Sequence, residues 1–146
     1  MSQENVEFVR AMIAAVKTPE GIEQLGRGDV DFHPYFDPKI EWDSTGTRSL
    51  VPDLADVYWG HEGVRAYWRR WLAAWRDVEY DVQDLLEAGD DVVVLICNQR
   101  QTGRYTGIVT ELPAYAMVFT FRDGKIARYR AFPDQDDALK AVGLAE

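Results

Sequence analysis

Apolar residues recur along the chain at two different periods, and the change of period divides it. Val6, Val9, Ile13 and Val16, with Phe8 and Met12 beside them, form one stripe at helical spacing. Thr18-Pro19 then reads as an N-cap followed by Pro at the first helical position, opening a short helix through Leu25 that Gly26-Arg27-Gly28 closes. Phe32, Tyr35 and Phe36, broken by Pro34 and Pro38, predict a short turn of helix plugging one end of the core. Lys39-Ile40-Glu41-Trp42 alternates as a short strand, and Asp43-Ser44-Thr45-Gly46 is turn chemistry. The stretch 45–58 has no period and contains Pro52; it is expected to be a loop long enough for a rim or lid over a site.

The strongest helical signal follows. Val64, Tyr67, Trp68, Trp71, Leu72 and Trp75 lie at i, i+3, i+4, i+7, i+8 and i+11, with arginines and small residues opposite. Such a wide apolar face needs a broad partner surface. Four strand-like segments, about 78–87, 91–102, 108–122 and 125–133, supply it, with hairpin signals at Gly89-Asp90 and Asp123-Gly124. A short capped helix is expected from Asp134 to Leu144. Helices followed by a long antiparallel sheet predict an α+β fold rather than a doubly wound one. Strands of this length twist and bend, and a bent sheet closed by a Trp-rich helix makes a cone. No repeat, low-complexity segment or linker divides the chain, so residues 1–146 read as a single domain.

Composition narrows the function classes. With 146 residues, 47% hydrophobic and 28% charged, the chain has the size and balance of one globular domain. No stretch approaches the ~20 apolar residues of a membrane span, and the N-terminus lacks the basic and apolar regions of a signal peptide. The net charge of -9 argues against a nucleic-acid partner; Arg65, Arg69, Arg70 and Arg76 read as a solvated helix face. One cysteine, Cys97, excludes an internal disulfide and fits a reducing cytosol, so a cytoplasmic protein is expected. Two distant histidines make no zinc constellation, and neither a Gly-rich phosphate loop nor a nucleophile elbow is present.

Gly60-His61-Glu62-Gly63-Val64-Arg65 opening the Trp-rich helix, Asp123-Gly124-Lys125-Ile126 in the last hairpin, and Asp136-Asp137-Ala138-Leu139 near the end resemble the SnoaL-like branch of the NTF2-like superfamily. The resemblance covers essentially the whole chain. It implies a cone-shaped fold around a pocket for a small, largely apolar organic ligand, with no cofactor, and a homodimer through the outer sheet face. It does not imply one activity, since proteins of this shape include cyclases, isomerases, epoxide hydrolases and members without known activity.

Matching the family's hairpins places Ile96, Asn98 and Arg100 inward on one strand. Tyr115, Met117 and Phe119 follow on the next, and Tyr129 with Ala131 on the last. Ile40 and Trp42 face in from the first strand, and Trp59, Trp68 and Trp71 from the helix side. A pocket of this makeup offers apolar area with a few polar groups, and the expected ligand contacts are Trp42, Trp59, Trp68, Asn98, Arg100, Tyr115, Met117 and Tyr129.

The family's chemistries test differently against these positions. The donor and acid positions of a ketosteroid isomerase are matched by Met12 and Met117, and its base by Trp42 or, with one residue of slip, Asp43. The two aspartates and bridging arginine of a limonene epoxide hydrolase are matched by Asn98, Ala131 and Arg100, so both carboxylates are missing. The acidic residue of SnoaL-type cyclases falls at Asp134, where an N-cap is a full explanation and the favoured one, although one residue could do both. Two readings follow. A cofactor-free isomerase, cyclase or dehydratase would move a proton with Asp43 or Asp134 and hold an oxyanion with Arg100, Tyr115, Tyr129 and Asn98. A non-catalytic binding protein would use the same pocket without a base.

Overall fold

The computed structural model describes residues 2–144. Helix α1, Ser2–Val16, buries Val6, Val9, Met12 and Ile13 along one stripe. Helix α2, Pro19–Arg27, starts at Thr18, whose hydroxyl accepts the Gly21 N–H at 3.0 Å, and ends at Gly28 with φ of 77°. That left-handed cap is one glycine accepts without strain. The expected plug at Phe32 is a single turn, closed by Phe36 N–H to Phe32 O at 2.8 Å. The chain then enters β1, Phe36–Asp43, and after a loop β2, Val57–Trp59.

Helix α3, Gly60–Ala74, buries Val64, Tyr67, Trp71 and Leu72. The Arg104 guanidinium donates to the end of this helix, reaching Leu72 O at 2.8 Å and Trp75 O at 3.2 Å. Four long strands follow: β3 Trp75–Glu87, β4 Val92–Gly103, β5 Val109–Arg122 and β6 Lys125–Phe132, before α4, Gln135–Ala141. The six strands form one curved sheet, in the order β2-β1-β6-β5-β4-β3, that does not close into a barrel.

Five neighbouring pairs would be antiparallel in a simple meander, but β1 runs parallel to β6, with Trp42 opposite Tyr129 and Asp43 opposite Arg130. This corrects the wholly antiparallel expectation. A parallel neighbour needs a long crossover, which α3 and the three strands after it provide.

The core has two parts. The larger lies between α1–α3 and the concave sheet face; the smaller packs Ala138 of α4 on Val94, Ile96, Ala116 and Val118 on the other face. Bulges decide which side chains belong to which. In β5, Leu112 pairs with Gln99 and Tyr115 with Cys97, so Pro113 and Ala114 stand against Asn98 alone. Ala114 there has φ of 54°, and Asp77, at a bulge in β3, has φ of 52°. Such bulges bend a strand and shift its alternation by one residue.

The segment between β1 and β2 is no lid over the cavity described below. It opens with a turn of 3-10 helix, Thr45–Thr47, and buries Ser44, Thr47, Val51 and Leu54. The Ser44 hydroxyl donates to Ala55 O at 2.9 Å, and the Ser44 N–H to Asp56 O at 2.9 Å. Gly46 packs so closely on β6 that a Cβ would lie 2.1 Å from Ala131 O. Hydrogen-bonded and partly buried, this loop is part of the body of the fold.

Candidate functional site

Between the helices and the concave face lies a cavity of about 70 Å³. Helix α1 contributes Met12 and Ile13, helix α3 contributes Tyr67, Trp68 and Trp71, and β1 contributes Trp42. The sheet contributes Tyr80 from β3, Gln99 from β4, Tyr115, Met117 and Phe119 from β5, and Tyr129 from β6. Rings make most of this wall by packing on one another. Trp42 stacks on Tyr129 with centroids 3.9 Å apart, and Tyr67 on Trp71 at 6.0 Å. Each such pair contributes about 0.5–1.5 kcal/mol beyond its buried area. An engineered dry cavity of about 150 Å³ takes up benzene. A ring therefore enters this smaller cavity only if its wall gives, and the flexible thioethers of Met12 and Met117 are the side chains suited to that.

No Asp, Glu, Lys, Arg or His belongs to the cavity wall among the described residues. The ionisable groups present are phenols, and burial raises Tyr80, Tyr115 and Tyr129 well above the ordinary tyrosine range. Tyr67 is raised as well, mainly by burial, with a hydrogen bond to the Thr47 hydroxyl acting the other way. Cys97 is buried, and burial with the nearby Asp81 pushes its thiol up to about 12, so it is no nucleophile. The polar groups of the wall are only partly used. Gln99 Nε2 donates to Gln101 Oε1 at 2.7 Å, which leaves Gln99 Oε1 without a partner. Trp42 Nε1 is likewise buried and unbonded. An unmet buried polar group costs about 1–3 kcal/mol, so two in one apolar wall are a notable feature.

Of the residues singled out in the sequence, Trp42, Trp68, Tyr115, Met117 and Tyr129 come together in this wall. Asn98 and Arg100 do not; both are exposed on the outer face, and the inward set of β4 is Val93, Leu95, Cys97, Gln99 and Gln101. Ile96, also expected inward, packs under α4. The correction is one residue of register, which exchanges the two faces of a strand. Asn98 Oδ1 accepts the Ala114 N–H at 3.0 Å and so serves the bulge, while Arg100 sits in register between Glu79 and Glu111. Trp59 is 63% exposed, opposite Glu41 on the outer face, and contributes nothing to the cavity.

Neither aspartate faces the cavity. Asp43 lies on the side of β1 opposite Trp42, accepts from the Thr45 hydroxyl at 2.6 Å, and has its other oxygen 3.6 Å from Arg130 Nε. Asp134 caps α4, accepting the Asp136 N–H at 2.8 Å. Gln99 and Tyr80 are wall residues that the sequence reading passed over. Every position from Val92 to Cys97 is apolar, so period two is invisible there. The available signal was the glutamine pair Gln99 and Gln101, spaced two apart on a strand's buried face.

The SnoaL-like domain model matches residues 7–129. The chain belongs to the SnoaL-like family. No curated protein sequence matches it. Solved structures similar to this SnoaL-like chain share its fold at low identity. One, from Jannaschia sp. CCS1, is described as a SnoaL-like polyketide cyclase, with 18% identity, 99% of this chain and 95% of that one covered, and a TM-score of 0.70. An NTF2-like protein of unknown function from Burkholderia pseudomallei K96243 is 19% identical over 95% of this chain and 97% of that one, with a TM-score of 0.68. TerC, co-crystallised with polyporic acid, is 20% identical over 96% and 98%, also with a TM-score of 0.68. Identities this low carry the NTF2-like architecture and nothing finer. None of the described helices is long and apolar enough to cross a membrane.

Proposed function

We propose that this SnoaL-like protein binds a compact, largely apolar small molecule in its cone, without acid–base work by its carboxylates. The observation that carries this reading is the wall itself: rings, thioethers and an amide, with no charged side chain among the described residues. Proton-transfer chemistry would need a base within reach of the ligand. Asp43 is engaged with Thr45 and Arg130 on the outer side, and Asp134 with its own helix. The similar TerC was crystallised with a small organic molecule, which is in keeping with a ligand here. Because Trp42, Trp68 and Trp71 line the cavity, tryptophan emission should shift saturably with toluene. Asp43→Asn and Asp134→Asn should leave that titration unchanged. Absence of any saturable shift would end the ligand-binding reading; loss of binding in either variant would return the carboxylates to the site.

We also infer a homodimer through the outer sheet face. Support comes from exposed Trp59 beside the Glu41–Arg128 and Asp43–Arg130 pairs, which make a mixed apolar and charged surface. Sedimentation should give twice the mass of one chain at micromolar concentration, and the single-chain mass for Trp59→Lys. A wild-type monomer would refute it.

A further inference from the structure

Gln99 and Gln101 stand two residues apart on the buried side of β4, 3% and 0% exposed, and each keeps one amide atom without a partner. Their mutual bond, Gln99 Nε2 to Gln101 Oε1 at 2.7 Å, leaves Gln99 Oε1 and Gln101 Nε2 unmet. Turning both amides over keeps a bond between them and exchanges what is left, Gln99 then offering an N–H and Gln101 a carbonyl oxygen. In either arrangement Gln99, the amide of the cavity wall, has hydrogen-bonding capacity that no described residue uses. Buried polar groups are rarely left so, and this amide calls for a partner from outside the chain. The other unmet group of the wall, the Trp42 N–H, belongs to a residue level with Tyr129, Phe119 and Val93, six residues along β4 from Gln99. Trp42 packs among Phe36, Tyr67 and Trp68, whose ring faces accept weakly, a recourse that the amide lacks.

We infer that the ligand of the cone is an uncharged apolar molecule carrying one hydroxyl, and that the side-chain amide of Gln99 holds this hydroxyl. This rests on the binding reading above and adds the chemical class and the residue that selects it. A hydroxyl both donates and accepts, so it meets Gln99 whichever way the amide is turned. A carbonyl would serve only one of the two arrangements. A carboxylate or an ammonium would bring a charge to a wall with no charged side chain among the described residues. The wall is also uneven along its length. Gln99 lies opposite Tyr80 of β3, and Tyr115 of β5 lies opposite Cys97, two residues on. The far end is ring against ring, with Tyr129 packed on Trp42 at 3.9 Å and on Phe119 at 5.5 Å. The hydroxyl belongs at the Gln99 end and the apolar body toward the rings.

Toluene and phenol are alike in size and differ by a methyl against a hydroxyl, so the ratio of their affinities reads this contact. Tryptophan emission gives both affinities for the wild-type protein and for the double variant Gln99→Leu with Gln101→Leu, in which no amide is orphaned. In the wild type phenol is expected to bind at least as tightly as toluene, although its hydroxyl gives up water to enter. In the double variant toluene should bind as before, and phenol should lose about tenfold against it, the worth of one buried hydrogen bond. Benzoate, an anion at neutral pH, is expected to bind the wild type more weakly than phenol. Weaker binding of phenol than of toluene by the wild type would overturn the inference, whatever the double substitution does to folding. So would the same ratio in both proteins, which would mean that water meets the amide, or a preference for benzoate over phenol. If toluene binds and phenol does not, the class is wrong and the site stands; if neither binds, the site itself falls.

Discussion

The carboxamide of Asn98 accepts the Ala114 N–H at the point where β5 carries one residue more than β4. Ala114 sits at φ of 54°, a conformation that costs a residue with a Cβ about 1–2 kcal/mol. The side-chain bond helps to hold it there. Its consequence lies one residue on, since the bulge sets the alternation that sends Tyr115 into the cone. Asn98→Ala should therefore lose about 1 kcal/mol in urea denaturation, whereas Arg100→Met, on an exposed and unbonded side chain of the same face, should stay within about 0.5 kcal/mol of wild type. Equal behaviour of the two variants would show that Asn98 does nothing for the bulge. An amide that looked like a ligand contact is thus explained as backbone chemistry.

At the scale of elements, capping and periodicity were readable because each is local. Thr18-Pro19 and Gly28 bound α2, Asp134 caps α4, and the Trp-rich stripe is the buried face of α3. The hairpins at Gly89 and Gly124, both with φ of 77°, separate the strands where turn chemistry predicts. What could not be read is non-local. A bulge adds a residue whose effect on parity is not local: Pro113 inside a paired strand marks the one in β5, but not which face the residues after it take. A strand apolar on both faces, as β4 is from Val92 to Cys97 because α4 covers its back, has no visible parity. The loop after Asp43 looked free because its burial comes from contacts such as Gly46 on Ala131, remote in sequence. Five of the expected ligand contacts reached the cavity wall; Asn98, Arg100, Trp59 and Asp43 fell on the other side of such non-local choices, while Asp134 took the local cap that its position also predicts.

For the molecule as a whole, the uncharged core sets a response to alkali. Tyr67, Tyr80, Tyr115, Tyr129 and Cys97 all have their ionisation pushed upward, burial being the largest cause for each. In the unfolded chain the thiol and phenols ionise near their ordinary values of 9.0 and 10.0, while in the native state they keep their protons. The unfolded state then binds fewer protons, so stability is fully present below those values and is lost as pH rises beyond them. Each group contributes a slope of up to about 1.4 kcal/mol per pH unit. The urea midpoint should be level from about pH 7 to 9 and drop steeply between about pH 10 and 11. A level midpoint to pH 11 would mean that these phenols already meet water.

The parallel contact between β1 and β6 also bears on how the chain is made. Residues 36–43 are synthesised well before their neighbour, residues 125–132. At about 5–20 residues per second, β1 waits on the order of 5–20 s with one edge unpaired. The α3 face and the short β2 strand are the cover available to it meanwhile, and Trp42 has no Tyr129 to stack on until that time has passed. The binding wall is thus completed only once β6 has been made, long after β1.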